Sequence, residues 1–575
     1  MLLALWFRCS PTACIRHRPR KQTYGRISAP WKAIFSNQAN ELVADLAPNA
    51  DEPFLIPSGA SRADVFGMKT PSQLLAIFVI ANVAIAFSQS TMEPLPGGGR
   101  GPLHMVGNPR TPTTQSNFPT CGPPTYTCSR TDSAVVQVPP PPNVGNLTGA
   151  NTMVIDPDFG NPIVRVTDWN TDPSQPSANR SYISATSGSA DENLWNTNST
   201  MFLLQNLGAY SYPFTFDPVT MQAQRMYTAA DSKRGGLAIP EDGMWSRVSP
   251  NLLYTVSDPT PVINTYDFSD PNTPPAPQLF YNFSSGPNCL PPGFQATWKS
   301  KGGVSADDTT FAMAYSNAGG QGTGIYAVAY RVGSGCTVLN TQTGQVWDDW
   351  GAVGTIDIPD RWTIHNVKIS KDGNWLIIAR ANCDSGSHCT VEPYFWQIGT
   401  TNVTSCGDEL NGGQRCSGHW TEGYTHWINN YDAGKFASRP FADPTAIFYV
   451  IADPPAGVKD PLDQHGSWNN ADPADTYPFF LTFWSLTNPF PGPWYNEITA
   501  VDPTGSGTVW RFAHSFITAT SQIFSTKYGI GSVSQDGRFF IFSSDWMGTL
   551  GSQSGTATCT IGKDCRGDVF IVQAN

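Results

Sequence analysis

The sequence predicts an all-β protein: a seven-bladed β-propeller whose ring is closed by an N-terminal strand. Composition is the first reason. Only 14% of the 575 residues are charged, while 52 Gly, 49 Pro and 12% aromatics supply turn and strand formers; an average soluble protein carries about 25% charged residues. The second reason is a repeated hairpin. Ser370-Lys-Asp-Gly-Asn-Trp375 and Ser534-Gln-Asp-Gly-Arg-Phe539 each set an Asp-Gly turn between two apolar strands, and Gly takes the positive φ of such a turn without steric cost. Third, strand-turn-strand units follow one another at intervals of roughly 40–65 residues, which brackets the period of a four-stranded blade with loop insertions.

Taken in order, the chain opens on a segment set apart from the fold. Met68-Lys69 precedes an apolar run over 74–87 and the small residues of Ala86-Phe-Ser88. This is the pattern of a cleaved signal peptide, and the run is shorter than the ~20 residues that span a bilayer. The expectation is a signal peptide over 68–88, extracytoplasmic (periplasmic or secreted) localisation, and no integral membrane span. Residues 1–67 are then a spurious or transit extension. Arg8, Arg16, Arg18, Arg20 and Arg26 suit a transit sequence, whereas Glu41, Asp45, Asp51 and Glu52 do not. Residues 89–152, with Pro139-Pro-Pro-Pro142, read as a Pro/Gly-rich flexible leader. The propeller is expected over 153–575.

Within it, the strand around Ile163–Thr167 has no neighbour in sequence to pair with. Units follow at 194–223, 245–283, 303–347, 365–398, 424–451, 465–510 and 531–572. The fifth is the weakest and centres on the turn Tyr431-Asp-Ala-Gly434. The seventh has three strands, and the orphan strand supplies its fourth, which closes the ring and removes exposed sheet edges. A six-blade count follows if units five and six form one blade with a large insertion.

Beyond residue 88 there are 25 basic and 40 acidic side chains. The resulting acidic surface excludes nucleic acid and anionic membrane as partners. Ten cysteines remain there, and eight lie in close pairs: Cys121/Cys128, Cys383/Cys389, Cys406/Cys416 and Cys559/Cys565. Disulfides are expected for an exported chain. The spacings leave the pairing of Cys289 and Cys336 open.

The two Ser-x-Asp-Gly-x-aromatic hairpins, with Asp568-Val-Phe-Ile-Val572 as the following strand, resemble the repeats of TolB-type, WD-like bacterial β-propellers. The resemblance spans about 153–572 and implies the fold and export. A fainter likeness is to the oligogalacturonate lyases, propellers with a His-lined central site; none of their motifs is matched residue by residue.

The sequence lacks a Gly-x-Ser-x-Gly elbow, a phosphate-binding Gly-x-x-x-x-Gly-Lys-Ser/Thr loop and a His-Glu-x-x-His motif. Histidines are the strongest chemical signal. His365, His426 and His465 hold similar places before the first strands of units four, five and six, with His419 nearby. Three imidazoles at one channel mouth would suit a divalent metal ion. A histidine at a strand start equally well caps a backbone group. Trp362, Trp427 and Trp468 are candidate sugar-stacking platforms, and Arg361 and Arg439 candidate anion clamps, although propeller cores also use Trp heavily. Asp156, Asp158 and Asp168 are oxygen donors without the spacing of a Ca²⁺ loop. Three functions fit: a module binding a protein or carbohydrate ligand, a metal-assisted carbohydrate lyase or hydrolase, and an envelope structural protein. The first leads because no catalytic motif is present.

Overall fold

The structure is a computed structural model. It describes residues 121–173, 177, 180–184, 193–206, 211–227, 239, 243–257, 261–286, 289–290, 298–316, 325–349, 354–356, 363–383, 389–406, 421–432, 435–455, 466–483, 492–518 and 529–575. The expected signal peptide and the segment before it lie outside these residues. So do His419, His465, Arg361, Trp362 and the side chain of His365.

Seven antiparallel sheets form a seven-bladed propeller. Each blade's first strand is innermost. The first strands are Tyr182–Ile183, Gly243–Trp245, Trp298–Val304, Thr363–Ile369, Thr421–Glu422, Gly466–Ser467 and Gly531–Val533. Blade 3 carries two extra outer strands, Gln345–Asp348 and Gly354–Thr355. No helix among the described residues is long and apolar enough to cross a membrane.

Closure occurs as the orphan strand implied. Pro162–Arg165 pairs antiparallel with Asp568–Gln573, Ile163 facing Val572, and Met153–Ile155 adds a fifth strand outside it. A buried ion network fixes this seam. Asp568 accepts from Arg165 Nη2 at 2.5 Å through one oxygen and from Arg566 Nη2 at 2.6 Å through the other, and all three side chains are fully buried. Removing one partner of such a network leaves buried charge uncompensated, at a cost of about 3–5 kcal/mol.

The apolar core lies between blades. Phe202, Phe214 and Phe216 of blade 1 pack on Phe539 and Ile541 of blade 7, and Phe395, Trp427 and Phe479 join blades 4, 5 and 6. The alternating apolar residues of each strand therefore face the neighbouring blades as well as their own sheet.

Two elements differ from expectation. The hairpin around residues 431–434 joins the second and third strands of blade 5, His426–Asp432 and Lys435–Pro440, and the first strand is the two-residue Thr421–Glu422. That strand is too short to carry an apolar signature, so the sequence reading of this unit is displaced by one strand. The segment 121–152, expected to be flexible, is packed on the ring. Tyr126 is fully buried against Phe480 and Phe512, and its hydroxyl donates to the Gly537 carbonyl at 2.8 Å. Arg130 bridges to Arg511 on the outer strand of blade 6. A Cβ at Gly537 would lie 2.8 Å from the Tyr126 hydroxyl, so this Asp-Gly turn is held to glycine by contact as well as by its φ of 73°.

Cys121–Cys128 and Cys559–Cys565 are disulfides, and Cys289 is joined to Cys336. Cys406 is disulfide-bonded, while Cys416 lies outside the described residues. Cys383 and Cys389 face each other in register across blade 4.

Candidate functional site

The turns joining first to second strands gather at one end of the central channel, and they share one chemistry. In blade 4, Ser370 Oγ donates to Asp372 Oδ1 at 2.5 Å and accepts from Trp375 N, with Gly373 at φ 70°. Blade 7 repeats this with Ser534, Asp536 and Gly537. Blade 3 has a third copy, Ser305-Ala-Asp-Asp308, in which Asp308 takes the left-handed position at φ 58°. Asp tolerates that conformation better than most side chains, which is why the copy lacks the Gly that marks the other two.

Hydrogen bonds join each turn to the next. Asn196 donates to Pro250 O, Arg247 N to Asp308, Ala306 N to Lys371 O and Lys371 N to Gly423 O. Tyr424 N and Thr425 N donate to Asp475, Val533 N to Ser467 Oγ, and Trp195 Nε1 to Ser532 O. Every one of the seven seams is thus stapled at this end.

The residue after the first position of the turn is Arg247 in blade 2. Arg247 reaches across to blade 6, donating Nη2 to Asn469 Oδ1 at 3.1 Å and Nη1 to the Asn469 carbonyl at 3.5 Å. Lys371, Tyr424, Asn469 and Gln535 hold the same turn position in blades 4 to 7. Neither the Arg247 nor the Lys371 side chain forms an ion pair among the described residues, and Arg247 Nε and Gln535 Nε2 are buried without hydrogen-bond partners. Lys371 is 5% exposed. Burial, then repulsion from Arg247, hold its ammonium well below its ordinary range, against the pull of Glu422 and Asp475. Burial likewise lowers Lys368, whose Nζ lies 3.5 Å from Glu422 Oε2. This end of the channel is a polar floor where Arg247, Lys371 and Lys368 lie among Glu422, Asp308 and Asp475, with Arg247 Nε and Gln535 Nε2 left as unfilled donors.

The histidine set is arranged differently from the sequence reading. His365 lies early in the first strand of blade 4, whereas His426 follows the turn of blade 5 and begins its second strand. Five residues of strand separate the two levels, about 15 Å along the channel. His426 Nδ1 contacts Thr425 Oγ1 at 2.8 Å and Asp475 Oδ2 at 3.3 Å. Burial alone would raise the Asp475 carboxyl; the bonds from His426, Tyr424 N and Thr425 outweigh it and lower it. His426 therefore helps hold a turn.

Trp427 and Trp468 are 2% and 1% exposed and belong to the core between blades 4, 5 and 6, with Trp468 Nε1 donating to Tyr477 O. Arg439 is fully buried, donating to Asn429 Oδ1 and Pro444 O. None of these three presents a free face to a ligand. Asp168 caps a turn by accepting from Gly149 N, Ala150 N and Asn170 N. The floor residues were within reach of the sequence: Lys371 and Gln535 are the variable residue of Ser-x-Asp-Gly.

No family model matches the chain, and no curated protein does. Among solved structures, the chain is similar to an oligogalacturonate lyase from Vibrio parahaemolyticus, at 9% identity and a TM-score of 0.43, covering 74% of this chain and 96% of that one.

Proposed function

We propose that the protein is an exported binding module whose channel takes a carboxylate-bearing ligand, an acidic saccharide in particular, at the floor formed by Arg247 and Lys371. The observation that carries this reading is a pair of cations that form no close ion pair among the described residues, although Glu422, Asp308 and Asp475 attract them at longer range. Buried guanidinium and ammonium groups are ordinarily paired, so an anion supplied from outside completes the set. Arg247 Nε and Gln535 Nε2 are donors left over for it. Three disulfides support export to an oxidising compartment.

Titration calorimetry with glucuronate and galacturonate against glucose and galactose tests the ligand class. The acids bind the wild type more tightly than their neutral counterparts, and Arg247→Gln with Lys371→Gln removes the preference. Equal binding of acidic and neutral sugars would sink the reading. Export is checked by sequencing the N-terminus of the secreted protein, expected to begin at Gln89.

A further inference from the structure

The turn of the closing hairpin, Asp156-Pro-Asp-Phe-Gly-Asn161, packs on the end of the outer strand of blade 6, Val509–His514. Asp156 is buried and all its acceptor positions are engaged. Oδ1 accepts from Asp158 N and Phe159 N, both at 3.0 Å. Oδ2 accepts from His514 N at 2.8 Å and from His514 Nδ1 at 3.1 Å. A carboxylate only accepts, so Nδ1 of His514 is the donor in this contact, and in the neutral imidazole Nε2 is the nitrogen with the lone pair.

That lone pair is the anomaly. His514 is fully buried and its Nε2 has no hydrogen-bond partner, yet it faces Asp158 Oδ2 at 3.8 Å. Two lone pairs pointed at one another repel unless a positive species lies between them. A shared proton would draw the atoms to hydrogen-bond distance, about 2.7–3.2 Å. A metal ion bound to both at about 2.0–2.2 Å spans 3.8 Å with a bent N–metal–O angle. The ligand atoms of Asp156, Asp158 and His514 lie within 4.8 Å of one another.

Charge agrees. The neighbourhood holds Asp132, Asp156, Asp158 and Glu497 against Arg130 and Arg511, whose guanidinium groups lie over the Phe159 ring. Four negative and two positive groups leave a deficit that a divalent ion balances. An imidazole whose other nitrogen is fixed by a carboxylate is also the usual form of a metal-binding histidine.

The geometry points to a divalent cation site at this seam, with His514 Nε2 and Asp158 as ligands, Asp156 orienting the imidazole and water completing the coordination on the exposed side of Asp158. A nitrogen-plus-carboxylate pair suits a first-row ion such as Zn²⁺ over Ca²⁺. Such an ion would clasp the closing hairpin to blade 6. It is separate from the channel floor.

The test uses the full mature chain, stripped with EDTA and dialysed. Zn²⁺ is titrated by calorimetry and Co²⁺ by its visible absorption, on the wild type and on Asp158→Asn. Asp158 is exposed and its side chain makes no hydrogen bond among the described residues, so this variant keeps the metal-free thermal midpoint. The wild type is expected to take up one ion, with affinity falling roughly tenfold or more in the variant. Zn²⁺ should raise the thermal midpoint of the wild type alone, with Ca²⁺ inert. Indistinguishable Zn²⁺ titrations for the two proteins would overturn the assignment. So would a wild-type midpoint that ignores Zn²⁺ and rises instead on acidification, the signature of an imidazolium between two carboxylates.

Discussion

Arg247 of blade 2 donates to Asn469 of blade 6 at 3.1 Å, although three seams separate those blades around the ring. One side chain therefore crosses the channel axis and ties opposite walls together. Asn469 in turn donates to Ser532 Oγ of blade 7 at 2.8 Å. The floor is thus a brace for the ring, and Arg247 and Lys371 sit in it.

Lys371 should trade stability for binding. Its folded-state pKa is depressed, so the unfolded chain binds more protons between that pKa and the free-lysine value, and wild-type stability rises with pH across that window. Lys371→Met should unfold at higher urea at pH 7, by about 1–2 kcal/mol. The gap should narrow as pH approaches 10. The same variant should lose acidic-sugar binding in calorimetry.

Asp545 should shape the pH profile between mildly acid and neutral conditions. Burial pushes its carboxyl from 3.8 up to about 7, and one of its oxygens has no hydrogen-bond partner. A raised folded pKa contributes stability below the unfolded pKa and loses it as pH rises through the folded one. Asp545→Asn should therefore flatten the decline between about pH 4 and 7 and gain about 2–4 kcal/mol at pH 8. Urea midpoints at pH 5 and pH 8 measure it; a parallel shift at both would refute the assignment. Asn can still accept from Thr518 N.

The disulfides should differ in worth. Cys289–Cys336 closes a separation of 47 residues and Cys559–Cys565 one of 6. Chain entropy assigns about 4 kcal/mol to the first and about 2 to the second. Paired Cys→Ser variants, compared by denaturant unfolding, should keep that order.

Blade number and ring closure were legible because each depends on local pattern: Asp-Gly turns, apolar strands, and one unpaired strand matching one deficient unit. Blade 5 was misaligned because Thr421–Glu422 is short and its turn is held by Asp475 from the next blade. The packed segment around Tyr126 was hidden by its Pro/Gly composition. The Arg247–Asn469 bond could not be read at all, since only the closed ring brings those residues together. Lys371 was visible inside a motif whose Asp and Gly drew attention to the turn and away from the residue between Ser and Asp.

The seam built on Arg165 and Asp568 joins residues 403 positions apart. Synthesis delivers one half of blade 7 early and the other half last. Until the final strand arrives, the first blade has no neighbour on one side, and the Phe539 and Ile541 surface that covers it does not yet exist. Folding of the ring is therefore a post-synthetic event with very non-local contacts, slow by the usual relation of topology to rate. A chain whose ring cannot close until its last strand is made must keep its first blade's apolar face uncovered until then.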